Sequence, residues 1–98
     1  MDDLYDFHPG ATIKYDYLEG SDITVYRLAK ALNMGQSHVA DILEGKRGVT
    51  ANVAIRLARV FDTTPEFWLN MQNRYDMLQA HNQFDAVYEK IERIPIGL

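Results

Sequence analysis

The sequence predicts an all-α protein of five to six helices. Apolar residues recur at intervals of about three or four positions along almost the whole chain, which is the spacing of one face of an α-helix. No alternation of apolar and polar residues is long enough to predict a strand. Residues that start helices (Thr, Pro) and residues that end them (Gly, Asn) separate the apolar segments. The 98 residues, 47% of them apolar, suffice for one domain with a real core.

The first two helices are predicted from their start and stop signals. Pro9-Gly10 opens the first, and Glu19-Gly20 ends it with a glycine suited to a C-terminal cap. Residues 1–8 before it are expected to form a flexible arm. Thr24 is a good N-cap for a second helix over residues 25–32, which Asn33-Met34-Gly35 then breaks. The inward residues of these helices are predicted to be Ile13, Tyr17 and Leu18, followed by Leu28, Ala29 and Leu32.

The next two helices are short. A third helix is predicted over residues 36–43, with Val39, Ile42 and Leu43 inward, and it stops before the turn Lys46-Arg47-Gly48. Thr50 caps a fourth helix, in which Ile55 falls off the apolar stripe formed by Val53, Leu57, Ala58 and Phe61.

The C-terminal third is predicted to hold a fifth helix and a sixth helical segment. Thr64-Pro65 starts the fifth helix, which is expected to continue to about Ala80 with a buried stripe of Phe67, Trp68, Met71, Tyr75 and Leu78. The sixth segment spans residues 84–94. We therefore expect a flexible arm (1–8), a helix-turn-helix domain (9–80) and a C-terminal helical extension (81–98) available for dimer or partner contact.

Charge is distributed unevenly along the chain. The net charge of −4 argues against a polyanionic partner, but residues 1–23 hold one Lys against six acids (−5), residues 24–59 hold six Lys or Arg against two acids (+4), and residues 60–98 hold three against six (−3). Such a block often only solvates helix faces. Here the positively charged segment, residues 24–59, contains a helix-turn-helix motif at residues 24–43, and we call this segment the basic block.

Residues 24–43 have the spacing of a helix-turn-helix, in which one helix lies in the major groove of DNA and the other braces it. Ala29 supplies the small side chain needed where the helices cross, and Asn33 stands at the turn position that requires a left-handed backbone. The same spacing occurs in proteins that only use it for packing.

The N-terminal and outward residues of the third helix are the candidates for reading bases. Gln36 can pair bidentately with adenine, Ser37 can contact a base or phosphate, and His38 can donate to guanine or phosphate. Asp41 either accepts from a cytosine amine or is a plain surface residue. The candidates for phosphate contacts are Thr24, Tyr26, Arg27, Lys46, Arg47 and Thr50.

The sequence shows no grouping of residues typical of a catalytic or metal site. The chain has no Cys, and His8, His38 and His81 are scattered over the predicted arm, a helix tip and a distant helix end. We expect no enzyme activity, no metal and no cofactor. The acidic N-terminus lacks the pattern of a signal peptide and no segment approaches the roughly 20 apolar residues of a membrane span, so a cytoplasmic location is expected.

Several strings over residues 8 to about 77 resemble the HigA antitoxins. They are His8-Pro-Gly10, Arg27-Leu-Ala-Lys30, Gly45-Lys-Arg-Gly48-Val-Thr50, Ala54-Ile-Arg-Leu-Ala58 and, most specifically, Thr64-Pro-Glu-Phe-Trp-Leu-Asn70. The resemblance implies a lambda-repressor-like homodimer that represses its own toxin–antitoxin operon. It also implies that the protein neutralises a HigB-type toxin, an mRNA-cleaving ribonuclease. The chain departs from the family pattern at Ala11-Thr12 and Asn33, where an acidic residue with an aliphatic and a turn glycine are usual.

Two other functions are compatible with the same residues. One is a stand-alone repressor without a toxin partner. The other is an interaction module whose acidic flanks bind a basic ribonuclease without regulating DNA. A symmetric dimer is expected because one recognition helix buries little DNA. Its seam is expected in the fifth helix or in the C-terminal segment, with candidates Trp68, Met71, Tyr75, Tyr88 and Ile91.

Overall fold

The computed structural model describes residues 7–97 and consists of helices joined by short loops. Over those residues it contains no strand, which confirms the all-α class. The elements are α1 (Pro9–Thr12), a π-helical segment (Ile13–Leu18), α2 (Val25–Leu32), α3 (Gln36–Leu43), α4 (Ala51–Phe61) and α5 (Pro65–Tyr88).

The first helix begins at Pro9, as predicted, but its N-cap is part of the folded body. The Nδ1 atom of His8 accepts a hydrogen bond from the backbone N–H of Gly10 at 2.9 Å. His8 is only 9% exposed, so the expectation that it lies on a loose arm is wrong. Residues 1–6 of the predicted arm lie outside the described residues. After Thr12 the helix widens into the π-helical segment, in which Glu19 N–H donates to the Lys14 carbonyl.

Three predicted threonine caps are confirmed. The hydroxyl oxygens of Thr24, Thr50 and Thr64 each accept a hydrogen bond from the backbone N–H three residues later, at 3.0, 3.3 and 3.2 Å. At the other ends of α2 and α4, Asn33 and Asp62 adopt the left-handed conformation with φ of 55°. These caps fix the limits of the helices around the turn.

Trp68 is the centre of the core. Its ring is 0% exposed and lies close to Phe67, Tyr17 and Phe61. Its indole N–H donates to the Thr63 hydroxyl at 2.7 Å, so the buried polar atom is satisfied. The prediction that Trp68 contributes to a dimer seam is therefore wrong, because a fully buried side chain has no surface left for a partner.

The buried residues of the other helices largely match the predicted stripes. Ile13, Leu28, Ala29, Leu32, Val39, Ile42, Val53, Leu57 and Ala58 are all buried, while Ile55 is 50% exposed, as its place off the stripe predicts. Phe67 is 42% exposed, which contradicts its predicted burial. Since Trp68 points into the core, the adjacent side chain is turned about 100° around the helix.

The long helix α5 runs without interruption through the predicted boundary. It continues to Tyr88, so the predicted end near Ala80 and the separate helix over residues 84–94 are both wrong. No Gly or Pro occurs between residues 66 and 94, and nothing therefore stops the helix at residue 80. Every residue from 81 to 97 is exposed, so residues 7–97 provide no cover for the C-terminal extension. The division into domains at residue 80 stays a prediction.

Candidate nucleic-acid interface

The helices α2 and α3 form the predicted helix-turn-helix. Ala29 is 3% exposed where α2 contributes to the core, beside Leu28 and Leu32, and α3 contributes Val39 and Ile42 to the same cluster. Asn33 provides the left-handed turn residue, and the Met34 N–H donates to the Ala29 carbonyl at 3.0 Å. An asparagine adopts this backbone several-fold more readily than most residues, so it can replace the usual glycine.

Arg56 on α4 holds this turn from outside the motif. Its Nη1 atom donates to the carbonyls of Leu32 and Asn33, both at 2.9 Å, and its Nε atom donates to Asn52 Oδ1 at 2.9 Å. A helix C-terminus leaves carbonyls without intrahelical partners and carries partial negative charge, which a guanidinium satisfies. One of the six cations of the basic block is thus a structural residue, which the sequence reasoning did not foresee.

The predicted base-reading residues lie on one short helix. Gln36 and Ser37 are exposed in the first turn of α3, and His38 and Asp41 are partly exposed further along it. The Asp41 carboxylate lies 3.5 Å from Arg47 Nε. This ion pair offsets part of the repulsion that Asp41 would exert on phosphates, and it ties the end of α3 to the following loop.

The predicted phosphate-contacting residues occupy two helix starts and one loop. Thr24 and Thr50 are the N-caps of α2 and α4, and helix N-termini attract anions. Tyr26 is 61% exposed, and Arg27, Lys46 and Arg47 are exposed as well. Lys46 and Arg47 belong to the loop between α3 and α4, residues 44–50, which we call the basic loop.

The basic loop rests on the buried amide of Gln72 from α5. Gln72 is 8% exposed, and its Oε1 accepts a hydrogen bond from the Val49 N–H at 2.7 Å. Its Nε2 donates to Asp76 Oδ1 at 2.9 Å. A Cβ atom added to Gly48 would lie 3.3 Å from the Gln72 amide, so the loop backbone passes directly over this side chain.

His8 touches the same loop from the side of α1. A Cβ atom added to Gly45 would lie 3.7 Å from the His8 ring, and the Tyr75 ring meets that imidazole edge-on at 5.1 Å between centroids. Burial lowers the pKa of His8, while the charge of Asp76 and a hydrogen bond with the Arg47 backbone oppose this shift. The neutral imidazole is therefore favoured, in keeping with its role as a hydrogen-bond acceptor for Gly10.

The predicted DNA-binding residues lie on α2, α3, the basic loop and the start of α4, and the predicted dimer residues are divided between the folded body and the C-terminal extension. Tyr75 and Met71 are partly buried within the protomer, whereas Tyr88 and Ile91 are exposed, 39% and 68%, in the C-terminal extension. Sequence reasoning missed Gln72, although a signal existed. Gln72 follows Trp68 by four positions, which places a polar residue on the buried face of α5.

Neither a metal site nor a membrane-spanning helix was found within residues 7–97. No group of three or more His, Cys, Asp or Glu side chains in this range could hold a metal ion. No helix in the same range is long and apolar enough to cross a membrane.

Comparison with known sequences places the chain among helix-turn-helix proteins. A family model described as "Helix-turn-helix" matches residues 15–68. The chain is 40% identical over 90 residues to Antitoxin HigA-1 of Vibrio cholerae, covering 91% of this chain and 84% of that protein. It is 36% identical over 80 residues to Virulence-associated protein I of Dichelobacter nodosus, covering 82% of this chain and 74% of that protein.

Solved structures with the same fold include proteins determined on DNA. The antitoxin GraA superposes with a TM-score of 0.86 at 34% identity, covering 91% of this chain and 97% of that one. The Pseudomonas aeruginosa antitoxin HigA, solved with the higBA promoter, gives a TM-score of 0.84 at 35% identity, with 92% and 99% covered. GraA in complex with its operator gives 0.83 at 34% identity, with 92% of each chain covered.

Proposed function

The chain belongs to the helix-turn-helix family of HigA-type antitoxins, and we propose that it binds operator DNA as a dimer, represses its own operon and neutralises a ribonuclease toxin. Its work is binding rather than catalysis, and it is carried out in the cytoplasm. The main support for DNA binding is the exposure of polar and cationic side chains at both ends of α3. Gln36 and Ser37 are exposed at its start, and Lys46 and Arg47 are exposed in the basic loop beyond its end.

In this proposal Gln36, Ser37 and His38 face base edges in the major groove, and Asp41 stays paired with Arg47. Lys46 and Arg47 contact phosphates from the basic loop. The N-termini of α2 and α4, at Thr24 and Thr50, also contact phosphates, as do the side chains of Tyr26 and Arg27. Phosphate contacts position the protein and base contacts select the sequence. The relatives solved with operator or promoter DNA support DNA binding by this chain.

The dimer is proposed to form through the uncovered C-terminal extension. Val87, Tyr88 and Ile91 are 57%, 39% and 68% exposed although they are large and apolar, and burying them against a second copy would remove this surface from water. A two-fold pair can then read half-sites about one helical turn of DNA apart. Light scattering at micromolar concentration should give a dimer, and Val87→Lys with Ile91→Lys should give a monomer.

Binding to DNA from the protein's own promoter over a salt series tests the repressor function. The logarithm of the association constant should fall linearly with the logarithm of salt concentration, with a slope of roughly one per phosphate contact. Binding that is undetectable even at low salt would exclude the repressor and favour an interaction module.

Co-purification with the product of the neighbouring reading frame tests the antitoxin function. A stable complex with a product that halts growth when expressed alone is the expected result. DNA binding without such a partner would instead identify a stand-alone repressor.

A further inference from the structure

We propose that Gln72, together with its hydrogen-bond partner Asp76, is a positioning residue for DNA binding. Its bond to Val49 holds the basic loop where Lys46 and Arg47 can reach the phosphates. The proposal rests on the proposed function, since the loop's task is taken to be phosphate contact. Neither side chain is a candidate for touching DNA, and neither belongs to the helix-turn-helix.

The amide of Gln72 is placed so that each of its ends has a fixed partner. The oxygen accepts from Val49 N–H at 2.7 Å and the nitrogen donates to Asp76 Oδ1 at 2.9 Å. Because a carboxylate can only accept, Asp76 fixes which end of the amide faces the loop. The amide oxygen is thereby held towards the Val49 N–H.

The basic loop is held at both of its ends, because the N–H groups of Lys46 and Arg47 donate to the Asp41 carbonyl at 2.8 and 3.3 Å and Thr50 caps α4; the bond from Gln72 holds Val49 between these ends. Gly45 takes a left-handed backbone with φ of 76°, and residues 45–50 form neither helix nor strand. A buried backbone N–H without a partner costs on the order of 1–3 kcal/mol, so the loop would move to satisfy Val49 if Gln72 could not. Lys46 and Arg47 lie three and two positions before Val49, so a shift of the Val49 N–H would change where their side chains reach.

The position of Gly48 adds a steric limit to the hydrogen bond. A Cβ atom there would lie within 3.3–3.4 Å of three atoms of the Gln72 amide, so a side chain at position 48 would press on this amide. The hydrogen bond thus limits how far the loop can move away from α5, and glycine at position 48 leaves the amide undisturbed.

Exchanging the amide of Gln72 with the carboxylate of Asp76 tests the two hydrogen bonds while the net charge stays the same. Gln72→Glu places a second carboxylate opposite Asp76, four positions away on the same helix, and the repulsion between the two carboxylates moves the new one away from the Val49 N–H that it would otherwise bind. Asp76→Asn keeps an oxygen that can accept from Gln72. The double variant Gln72→Glu/Asp76→Asn restores both bonds with the net charge of the wild type, because the introduced carboxylate can accept both from Val49 N–H and from the introduced amide.

DNA affinity should follow this pattern. We expect Gln72→Glu to weaken operator binding by about tenfold and to lower the salt slope by roughly one, because a phosphate contact is lost. Asp76→Asn and the double variant should stay within about threefold of the wild type. Asn73→Asp, an exposed neighbour on α5, is the control for one added negative charge.

Each outcome decides one question. Circular dichroism melting of every variant separates loop displacement from unfolding. At a temperature where all variants are folded, the salt slope of DNA binding shows whether the basic loop still makes its phosphate contact. Equal losses in Gln72→Glu and Asn73→Asp, or a double variant no better than Gln72→Glu, would overturn the positioning role. If wild-type protein binds no DNA, the proposed function fails instead.

Discussion

The backbone of Gly10 lies against the carbonyl of Ile42, so closely that a Cβ atom on Gly10 would be 1.8 Å from the Ile42 oxygen. This contact joins α1 to the C-terminal half of the recognition helix α3. Because the opposing atom is backbone, no side-chain rotation can relieve a substitution here.

Gly10→Ala should therefore destabilise the protein by about 3 kcal/mol or more, since either α1 or α3 must shift. The free energy of unfolding is measured by urea denaturation. Gly97→Ala is the matched control, because nothing lies within 4 Å of a Cβ atom there, and it should change stability by less than about 0.5 kcal/mol. An unaffected Gly10→Ala protein would contradict the close approach.

Arg56→Met should loosen the helix-turn-helix while keeping most of the apolar stem. Two carbonyls at the end of α2 lose a charged donor, and we expect a loss of about 1–3 kcal/mol in the free energy of unfolding. Arg59→Met removes the same charge from an exposed position on α4 and should cost less than about 0.5 kcal/mol. If the two variants unfold at the same urea concentration, Arg56 does not hold the turn.

Gln36 and Lys46 should differ in how they affect sequence selectivity. Gln36→Ala is expected to cost on the order of 1–3 kcal/mol at one base position, whereas Lys46→Ala should weaken binding to all sequences alike and reduce the salt slope by about one. Affinities for operator and random DNA distinguish them. Parallel losses on both DNAs from both variants would refute the assignment.

The stability of the fold should fall on acidification because of His8. Its pKa is lowered by burial below the ordinary value of 6.5, so the unfolded chain takes up a proton more readily than the folded one. The contribution of His8 is complete above pH 6.5 and is lost as the pH falls from there through the folded pKa.

Urea denaturation between pH 8 and pH 5 measures this dependence. His8→Asn keeps an N-cap acceptor that does not titrate in this range and should flatten the curve relative to the wild type. His38→Asn leaves His8 in place and should keep the fall. A wild-type curve no steeper than that of His8→Asn would rule out the contribution of His8.

Local signals in the sequence determined most of the helices and the motif. Thr24, Thr50 and Thr64 cap helices where their side chains predict it, because capping depends on neighbours within three residues. The same is true of Asn33, whose left-handed backbone follows from its own side chain and the turn. The excess of positive charge over residues 24–59 likewise coincides with the candidate interface and is a property of the sequence alone.

Contacts between residues distant in sequence were decided only by the tertiary structure. Nothing in the sequence distinguishes Arg56 from the other cations of the basic block, because its partners lie 23 and 24 residues earlier. Gln72 is 23 residues from Val49 in sequence. His8 lies close to Gly45 although α1, α2 and α3 separate them in sequence. Periodicity reports which face of a helix is buried but not which element covers it. For that reason the sequence alone could predict candidate residues for DNA contact, whereas the contacts of Arg56, Gln72 and His8 could be found only in the fold.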